Sequence, residues 1–285
     1  GKSYAAKRRP TRKRERGEAM KQEEPEFEEQ EQLEEQALLE GTKELVIRTD
    51  QKVRILGICG SPVKGGNTEL FLDEALKAAK TMGEDVEIDK IILHGKKIKF
   101  GCTHCHWCED KQKPDLPPCV IKDDMIEMWP KIIEADGYLW ATPVYGANPS
   151  WLFNTFMDRW RCLAHSNYFQ GALDNKVAGS LAVLWFRESG AESTLMAMMW
   201  RCLTMNMIPA CGFNSRKFGA IGYSTPHGEG KNDPNNKHQI LEDKWGLQSA
   251  RIIGRRTAFL ARAMKPVRMD IRKRRESKMA VSKQV

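Results

Sequence analysis

The chain has 285 residues and a formal net charge of +8 at pH 7, and this charge is concentrated at its ends. Residues 1–17 carry eight Lys/Arg against one Glu, residues 18–40 carry ten Glu against one Lys, and residues 262–285 carry nine Lys/Arg against two acids. Residues 41–261 retain only +3. The central part therefore lacks the basic surface expected of a nucleic-acid-binding fold, and nucleic acid is not an expected partner.

The hydropathy pattern excludes a transmembrane segment. The longest mainly apolar run, residues 177–186, has ten residues, which is about half of what a bilayer-spanning helix needs. The basic start leads directly into a Glu-rich segment without the apolar stretch of a secretory signal, so we expect a cytoplasmic protein. An organelle presequence is the alternative interpretation of this Arg-rich, acid-poor start, although it lacks apolar residues. In a reducing compartment, closely spaced cysteines indicate metal or redox chemistry rather than disulfides.

Composition divides the chain into three parts. Residues 1–50 lack the apolar content for a core, and we expect a charged arm that is disordered or bound to a partner. Within it, residues 28–40 could form a short helix that docks on another protein. Residues 51–264 are expected to form one folded domain, and residues 265–285 a basic C-terminal tail.

From residue 52 onward, apolar β-like runs alternate with amphipathic helical stretches. Strands are predicted over residues 53–59, 86–93, 137–141, 177–186 and within 208–222, and helices over 68–82, 123–134, 149–163, 192–206 and 239–264. This alternation predicts an α/β fold with right-handed crossovers and a parallel sheet covered on both faces. Ligands of such sheets bind beyond the carboxyl ends of the strands.

A glycine-rich turn, GSPVKGGNT at residues 60–68, joins the first predicted strand to the first helix. The free N–H groups and positive dipole end of a helix N-terminus suit a phosphate. Ser61, Asn67 and Thr68 add neutral donors, and Lys64 adds a positive charge. The turn fits neither a Walker loop nor the dinucleotide fingerprint, and an ordinary strand-to-helix turn with an Asn or Thr cap is the alternative interpretation.

Four cysteines lie close together in the predicted loop 101–120: Cys102, Cys105, Cys108 and Cys119. They are separated by two, two and ten residues, and such spacing can supply the four thiolate ligands of a 4Fe-4S cluster. Two alternatives remain open. The string Cys-x-x-Cys-His is also the pattern that attaches c-type haem, and zinc could bind a subset of these cysteines with His104 or His106.

The turn at residues 60–68 resembles the phosphate loop of flavodoxin-like NAD(P)H-dependent FMN reductases, whose usual form is GSPRKGGNT. The resemblance continues in the same order through CVIKDDM at 119–125, EADGYLWATPVYG at 134–146, SGAEST at 189–194 and EDKWGLQSARIIGRR at 242–256. It covers about 210 residues and leaves out both ends. Val63 stands where the family commonly has Arg, so Lys64 and the helix N-terminus would carry more of the phosphate charge.

The resemblance implies a flavodoxin-like doubly wound sheet of five parallel strands, order 2-1-3-4-5, with FMN at its carboxyl edge. The positions that it places around the flavin ring are Pro143, Val144, Tyr145 and Gly146, with Arg187 and Glu188 in the loop after the fourth strand. The cysteine pattern is similar to that of the iron-sulfur flavoprotein branch, whose final gap is normally shorter than the ten residues before Cys119. Some family members keep such cysteines without a demonstrated metal, which adds an empty loop to the alternatives.

The expected function is electron transfer between a one-electron carrier such as ferredoxin and an acceptor, through a 4Fe-4S cluster and FMN. A cluster-free NAD(P)H-dependent FMN or quinone reductase is the second hypothesis, and a non-catalytic subunit of a larger complex is the third. The resemblance also implies a homo-oligomer, and the charged ends could dock on another protein.

Overall fold

The structure, a computed structural model, describes residue 36 and residues 52–212, 218–231 and 233–282, with only the backbone from residue 269 onward. The predicted N-terminal arm, apart from Gln36, lies outside the described residues. The strands are β1 (Val53–Cys59), β2 (Val86–Ile92), β3 (Gly137–Tyr145), β4 (Asn148–Pro149), β5 (Val177–Leu184), β6 (Ile208–Pro209) and β7 (Ala220–Tyr223). The helices are α1 (Asn67–Lys80), α2 (Trp107–Asp110), α3 (Met125–Glu134), α4 (Trp151–Asp158), α5 (Arg161–Ala164), α6 (Ala191–Thr204) and α7 (Lys244–Ser282).

The sheet has the predicted parallel order. Strands run β2-β1-β3-β5, and the fifth position is shared by β6, which pairs with the first residues of β5, and β7, which pairs with its last residues. The order 2-1-3-4-5 is thus confirmed, with β5 as the fourth strand. β4 is a short antiparallel addition that folds back on the end of β3.

Both faces of the sheet are covered, as predicted. On one face α3 and α4 supply buried side chains that include Met128, Trp129 and Phe156. On the other face α1 and α7 pack together and bury side chains that include Phe71 and Ile253. These two apolar layers fix the positions of the loops that leave the carboxyl ends of β1, β3 and β5.

The prediction of one continuous helix over residues 149–163 is wrong. This segment forms two helices, α4 and α5, which are separated at Arg159 and Trp160. Trp160 is fully buried and makes edge-on contacts with Trp140 and Phe156. Arg159 is also buried, with its side chain directed at the loop that holds the cysteines. The helix is interrupted where these two neighbouring side chains are buried against different partners.

The closing helix extends past its predicted end at residue 264, because the backbone of α7 continues to Ser282. The Nζ atom of Lys265 lies 2.7 Å from Asp136 Oδ2, and Arg268 donates to the other oxygen of the same carboxylate. Asp136 is 1 % exposed. The first residues of the predicted basic tail therefore contact the folded domain. Within the described ranges, none of the helices combines the length and apolar content needed to cross a bilayer.

Candidate functional site

The loop after β1 leads directly into α1. Gly66 is the N-cap residue of α1, and among the described side chains none caps the helix there. The N–H groups of Asn67 and Thr68 are therefore available to an anion, whereas the Glu69 N–H donates to the Gly66 carbonyl at 3.0 Å. Ser61 and Thr68, two of the predicted phosphate donors, are each 4 % exposed. Their hydroxyl groups lie at the buried side of this loop, where a hydrogen bond to a ligand is not weakened by competing water.

The other two predicted phosphate donors are placed differently. Lys64 is exposed in the loop. The amide of Asn67 bridges to the segment before α7, because its Nδ2 donates to the Lys237 carbonyl at 3.1 Å and its Oδ1 accepts from the Ile240 N–H at 3.1 Å. Asn67 thus joins the start of α1 to residues 237–240 in addition to any contact with a phosphate.

A carboxylate near the loop is neutralised by its partners. Glu69 accepts hydrogen bonds from the Gly65 N–H and from Lys90 Nζ, each at 3.0 Å. Burial raises the pKa of Glu69, but these hydrogen bonds together with the nearby charges of Lys90 and His94 lower the pKa overall. The negative charge of Glu69 is therefore held by Lys90, which limits its repulsion of a bound phosphate.

The predicted ring-facing residues at the end of β3 belong to a tight hairpin. Val144 and Tyr145 pair with β4. The turn that joins β3 to β4 consists of Gly146 and Ala147, with φ of 56° and 60°. The side chain of Tyr145 is 48 % exposed at the end of β3. The hairpin therefore presents an aromatic ring and exposed backbone groups at the carboxyl edge, as contact with a flavin ring requires.

The loop after β5 lies beside the same edge. Arg187 donates from Nε to the His227 carbonyl at 2.6 Å, and its guanidinium lies 5.7 Å from the centre of the Tyr223 ring. Arg187 therefore holds residues 226–228 in place. Glu188 is exposed and has a φ of 57°. The start of α6 is tied to the β3 hairpin by a 2.7 Å hydrogen bond from Ser193 Oγ to the Ala147 carbonyl.

The predicted flavin contacts thus lie at the carboxyl ends of three adjacent strands, partly in the loops after them. Pro143, Val144 and Tyr145 are the last three residues of β3 itself, and Pro143 is buried. The structure also shows two exposed aromatic residues directly after β5, Trp185 and Phe186, which are 47 % and 46 % exposed, and Phe186 begins the loop predicted to face the flavin ring. The signal for them in the sequence was the apolar run of β5, which continues through two aromatic residues before the first charged one.

All four predicted metal ligands line one cavity. Its walls include Cys102, Cys105, Cys108 and Cys119, together with a fifth cysteine, Cys162. Cys102 and Cys105 are exposed, Cys108 is buried and Cys119 is half-buried. The four thiols therefore fit a 4Fe-4S cluster in kind and number, and they share a single cavity despite the ten-residue gap before the last.

The backbone between the first cysteines is tightly curved. His104 and His106 have φ of 53° and 59°, a conformation that non-glycine residues adopt rarely and mostly where a local structure demands it. The curvature directs the His104 N–H to Cys102 Sγ at 3.4 Å. His106 Nδ1 instead contacts Glu109 Oε2 at 2.7 Å. In the described ranges, however, no three His, Cys, Asp or Glu side chains are already gathered as a metal site.

A buried glutamine that the sequence did not indicate, Gln112, holds in place the segment between Cys108 and Cys119. Gln112 donates from Nε2 to the carbonyls of Pro118 and Cys162, at 2.7 Å and 3.2 Å. Its Oε1 accepts from two backbone N–H groups, those of residues 168 and 169. These bonds hold the Pro-rich segment against the core and return the chain to the cavity at Cys119.

The four remaining cysteines lie within or beside the predicted strands and helices, where small buried residues are the simplest interpretation. Cys59, Cys162 and Cys202 are buried. Burial raises the pKa of Cys59 and of Cys202 to about 12, so both remain protonated thiols at neutral pH. Cys211 differs from this interpretation because it is exposed. It lies after β6, beyond the part of that segment that the sheet covers.

Comparisons with known proteins identify the family of this chain. The family model for NADPH-dependent FMN reductase matches residues 53–219. The chain is 34 % identical over 215 residues to an iron-sulfur flavoprotein of Methanocaldococcus jannaschii, a match covering 75 % of this chain and 100 % of the relative. It is 32 % identical over 216 residues to an iron-sulfur flavoprotein of Archaeoglobus fulgidus, covering 75 % and 100 % respectively.

A solved structure shares the fold at low sequence identity. The crystal structure of RosB with the bound intermediate 8-demethyl-8-formylriboflavin-5'-phosphate matches with a TM-score of 0.57 and 16 % identity, over 80 % of this chain and 87 % of RosB. The parallel sheet and its loops place the molecule among the flavodoxin-like α/β proteins.

The chain belongs to the NADPH-dependent FMN reductase family, in its iron-sulfur flavoprotein branch. It is a flavin-dependent oxidoreductase that uses FMN and exchanges electrons with a redox partner.

Proposed function

We propose that this protein transfers electrons between a one-electron carrier, such as a ferredoxin, and an acceptor, through a 4Fe-4S cluster and FMN. The observation that carries the proposal is that Cys102, Cys105, Cys108 and Cys119 line one cavity. FMN accepts one or two electrons, and a cluster passes one electron at a time. The cluster and FMN together would therefore link one-electron transfer to two-electron transfer.

The protein's own contribution to FMN binding is placement and charge. Ser61 and Thr68 offer buried hydroxyl donors to the phosphate, and the first turn of α1 offers N–H groups. Lys64 supplies the positive charge, and Asn67 a further amide donor. The ring-facing set consists of Pro143, Val144, Tyr145 and Gly146, with Arg187 and Glu188 at its flank.

A second candidate function is a cluster-free NAD(P)H-dependent FMN or quinone reductase. It is favoured by the observation that, in the part of the chain described, the thiols are not already gathered into a metal site. The FMN-binding residues would be the same in both functions. Only the role of the cysteine cavity, and the immediate electron donor, would differ.

We also propose a homo-oligomer. Trp151, Trp185 and Trp200 are about half or more exposed, and exposed aromatic side chains of this size are common in subunit contacts. The basic C-terminal end, which continues α7, could dock on an acidic partner protein, and the proposed location is the cytoplasm.

Anaerobically purified protein tests the function directly. Absorption spectra together with iron, sulfide and FMN analysis should give four irons and one FMN per chain. Cys105→Ala should lose the iron and keep FMN, whereas Cys211→Ala, which replaces an exposed cysteine outside the cavity, should keep both. Reduced ferredoxin should then reduce the Cys211 variant but not the Cys105 variant. Wild-type protein that holds FMN without iron, and is reduced by NAD(P)H, would establish the second candidate instead.

A further inference from the structure

A buried arginine contacts the cysteine that departs most from the family spacing. Arg159 lies between α4 and α5, and its side chain is fully buried. Its Nε donates to Cys119 Sγ at 3.3 Å. Its Nη1 donates to Asp123 Oδ2 at 2.7 Å, in an ion pair whose two side chains are both 0 % exposed. The guanidinium is therefore shared between a carboxylate and a sulfur atom, away from solvent.

The same side chain joins both ends of the cysteine loop. Nη1 also approaches the Phe100 carbonyl at 3.4 Å, and Nη2 donates to the Ile121 carbonyl at 3.3 Å. Asp123 in turn accepts from the Lys99 N–H at 3.2 Å. Residues 99–100 precede Cys102 and residues 121–123 follow Cys119, so the Arg159–Asp123 pair brings the entry and the exit of the loop together.

We propose that Arg159 is the positioning residue that makes Cys119 the fourth ligand of the cluster, and that its N–H bond to the sulfur raises the reduction potential of that cluster. The inference rests on the proposed function, since it assigns a role to Arg159 only when iron is bound. It explains how a ten-residue gap still returns a thiolate to the site: the position of Cys119 is set by a buried ion pair, independently of the spacing.

The direction of the effect follows from charge. Reduction adds an electron to the cluster and its thiolates, and a cationic N–H donor to a ligand sulfur stabilises the state with more negative charge. Burial strengthens this interaction because water does not screen it. Arg161 shows the contrast at Cys108, where the N–S distance is 3.9 Å and the side chain is 26 % exposed and shared with Glu109.

The primary test is Arg159→Lys in the full-length protein. Lysine can keep the charge beside Asp123 but lacks the planar fork by which Arg159 donates from one nitrogen to the carboxylate and from another to the sulfur. We expect FMN and iron to remain and the cluster to be harder to reduce. An anaerobic titration against a reference dye, followed by electron paramagnetic resonance, should show the equilibrium constant for reduction falling about tenfold, or about 59 mV for a one-electron couple.

The matched control is Arg262→Lys. Arg262 is equally buried and pairs with Asp85, with an N–O distance of 2.6 Å, but its partners are oxygens and it lies on the opposite face of the sheet. This variant should keep the wild-type potential. Loss of iron with retained FMN in Arg159→Lys alone would support the positioning role directly. An unchanged iron content together with an unchanged potential would overturn the proposal.

A paired variant covers the case in which Arg159→Lys loses FMN as well as iron. Arg159→Met combined with Asp123→Asn removes the donor and leaves no unpaired buried charge. We expect the same lowered potential, or selective iron loss, in this variant, and wild-type behaviour there would overturn the inference. Absence of iron from the wild-type protein would instead overturn the proposed function itself, and this inference with it.

Discussion

The hydroxyl of Ser150 donates a hydrogen bond to the carbonyl oxygen of Gly60 at 2.5 Å, across 90 residues of sequence. Ser150 is fully buried and caps α4 by accepting from the Phe153 N–H at 3.1 Å. Its own N–H donates to Thr142 Oγ1 at 2.9 Å. Gly60 opens the proposed phosphate loop, and Thr142 lies in β3 just before the proposed ring-facing residues. One serine therefore fixes two parts of the proposed flavin site relative to each other.

We predict that Ser150→Ala destabilises the fold and weakens FMN binding together. The substitution removes an N-cap and leaves the buried Gly60 carbonyl without this donor, which should lower the free energy of unfolding by about 2–3 kcal/mol. Urea unfolding of the FMN-free protein measures the first effect, and flavin fluorescence titration measures the second.

Ser193→Ala is the matched control for this experiment. Ser193 Oγ also joins the β3 hairpin to another element, at 2.7 Å from the Ala147 carbonyl, but it is exposed. Water can replace its hydrogen bonds, so the cost should be below about 1 kcal/mol. Equal losses in the two serine variants would contradict the role assigned to Ser150.

A second prediction concerns the phosphate. Replacing Ser61 by Ala and Thr68 by Val removes two buried hydroxyl groups while nearly preserving side-chain volume at the helix. FMN binding should weaken by about 2–4 kcal/mol, since each lost bond is to a charged group. Isothermal titration with FMN is the measurement. Val63→Ala alters an exposed side chain of the same loop and should leave the affinity unchanged. Unaltered FMN affinity in the double variant would refute this placement of the phosphate.

The sheet could be predicted well from the sequence because its signals are local. The strand predicted over residues 53–59 matches β1 at both ends, since Lys52 and Gly60 bound its apolar run. The strand predicted to end at residue 141 continues through Pro143 to Tyr145. Beyond Ala141 this strand has β5 but no longer β1 as a neighbour, so the missing N–H of proline is tolerated there.

The site could be predicted only where its residues are close in sequence. The glycine-rich turn and the spacing of the cysteines are visible as strings. Arg159 and Gln112 are not, because their partners are distant: Cys119 lies 40 residues from Arg159, and Cys162 lies 50 residues from Gln112. A single buried polar residue between two helices or in a Pro-rich loop carries no local pattern, and only tertiary packing reveals its partner.

A third prediction concerns the first residues of the basic tail, which contact the domain and should contribute to its stability. A chain ending at Met264 loses both Lys265 and Arg268, the cations that pair with buried Asp136. A chain ending at Arg268 keeps them. The shorter chain should be less stable to urea by about 3 kcal/mol, because the Asp136 carboxylate loses both cationic partners and keeps the hydrogen bond from the Arg54 N–H at 2.9 Å.

Both truncated chains should still bind FMN, since Asp136 lies at the amino end of β3, opposite to the edge of the sheet where we propose that the flavin binds. The variant Asp136→Asn in the full-length protein is the control. The asparagine would carry no charge for Lys265 and Arg268 to pair with. Truncation at Met264 should therefore lower the free energy of unfolding clearly less in the Asp136→Asn variant than in the wild type. Equal stability of the two wild-type truncations would show that the tail does not support the domain.

The last prediction uses thiol reactivity to report on the cavity without relying on activity. In the FMN-bound, iron-free protein, iodoacetamide at pH 8 should modify the exposed cysteines rapidly, namely Cys102, Cys105 and Cys211. Cys59 and Cys202 should react slowly, because burial excludes the reagent and raises their pKa to about 12, so that little thiolate forms at pH 8. In iron-loaded protein, Cys102 and Cys105 should become protected while Cys211 stays reactive. Peptide mass spectrometry resolves each site, and continued alkylation of Cys105 at full iron loading would remove it from the ligand set.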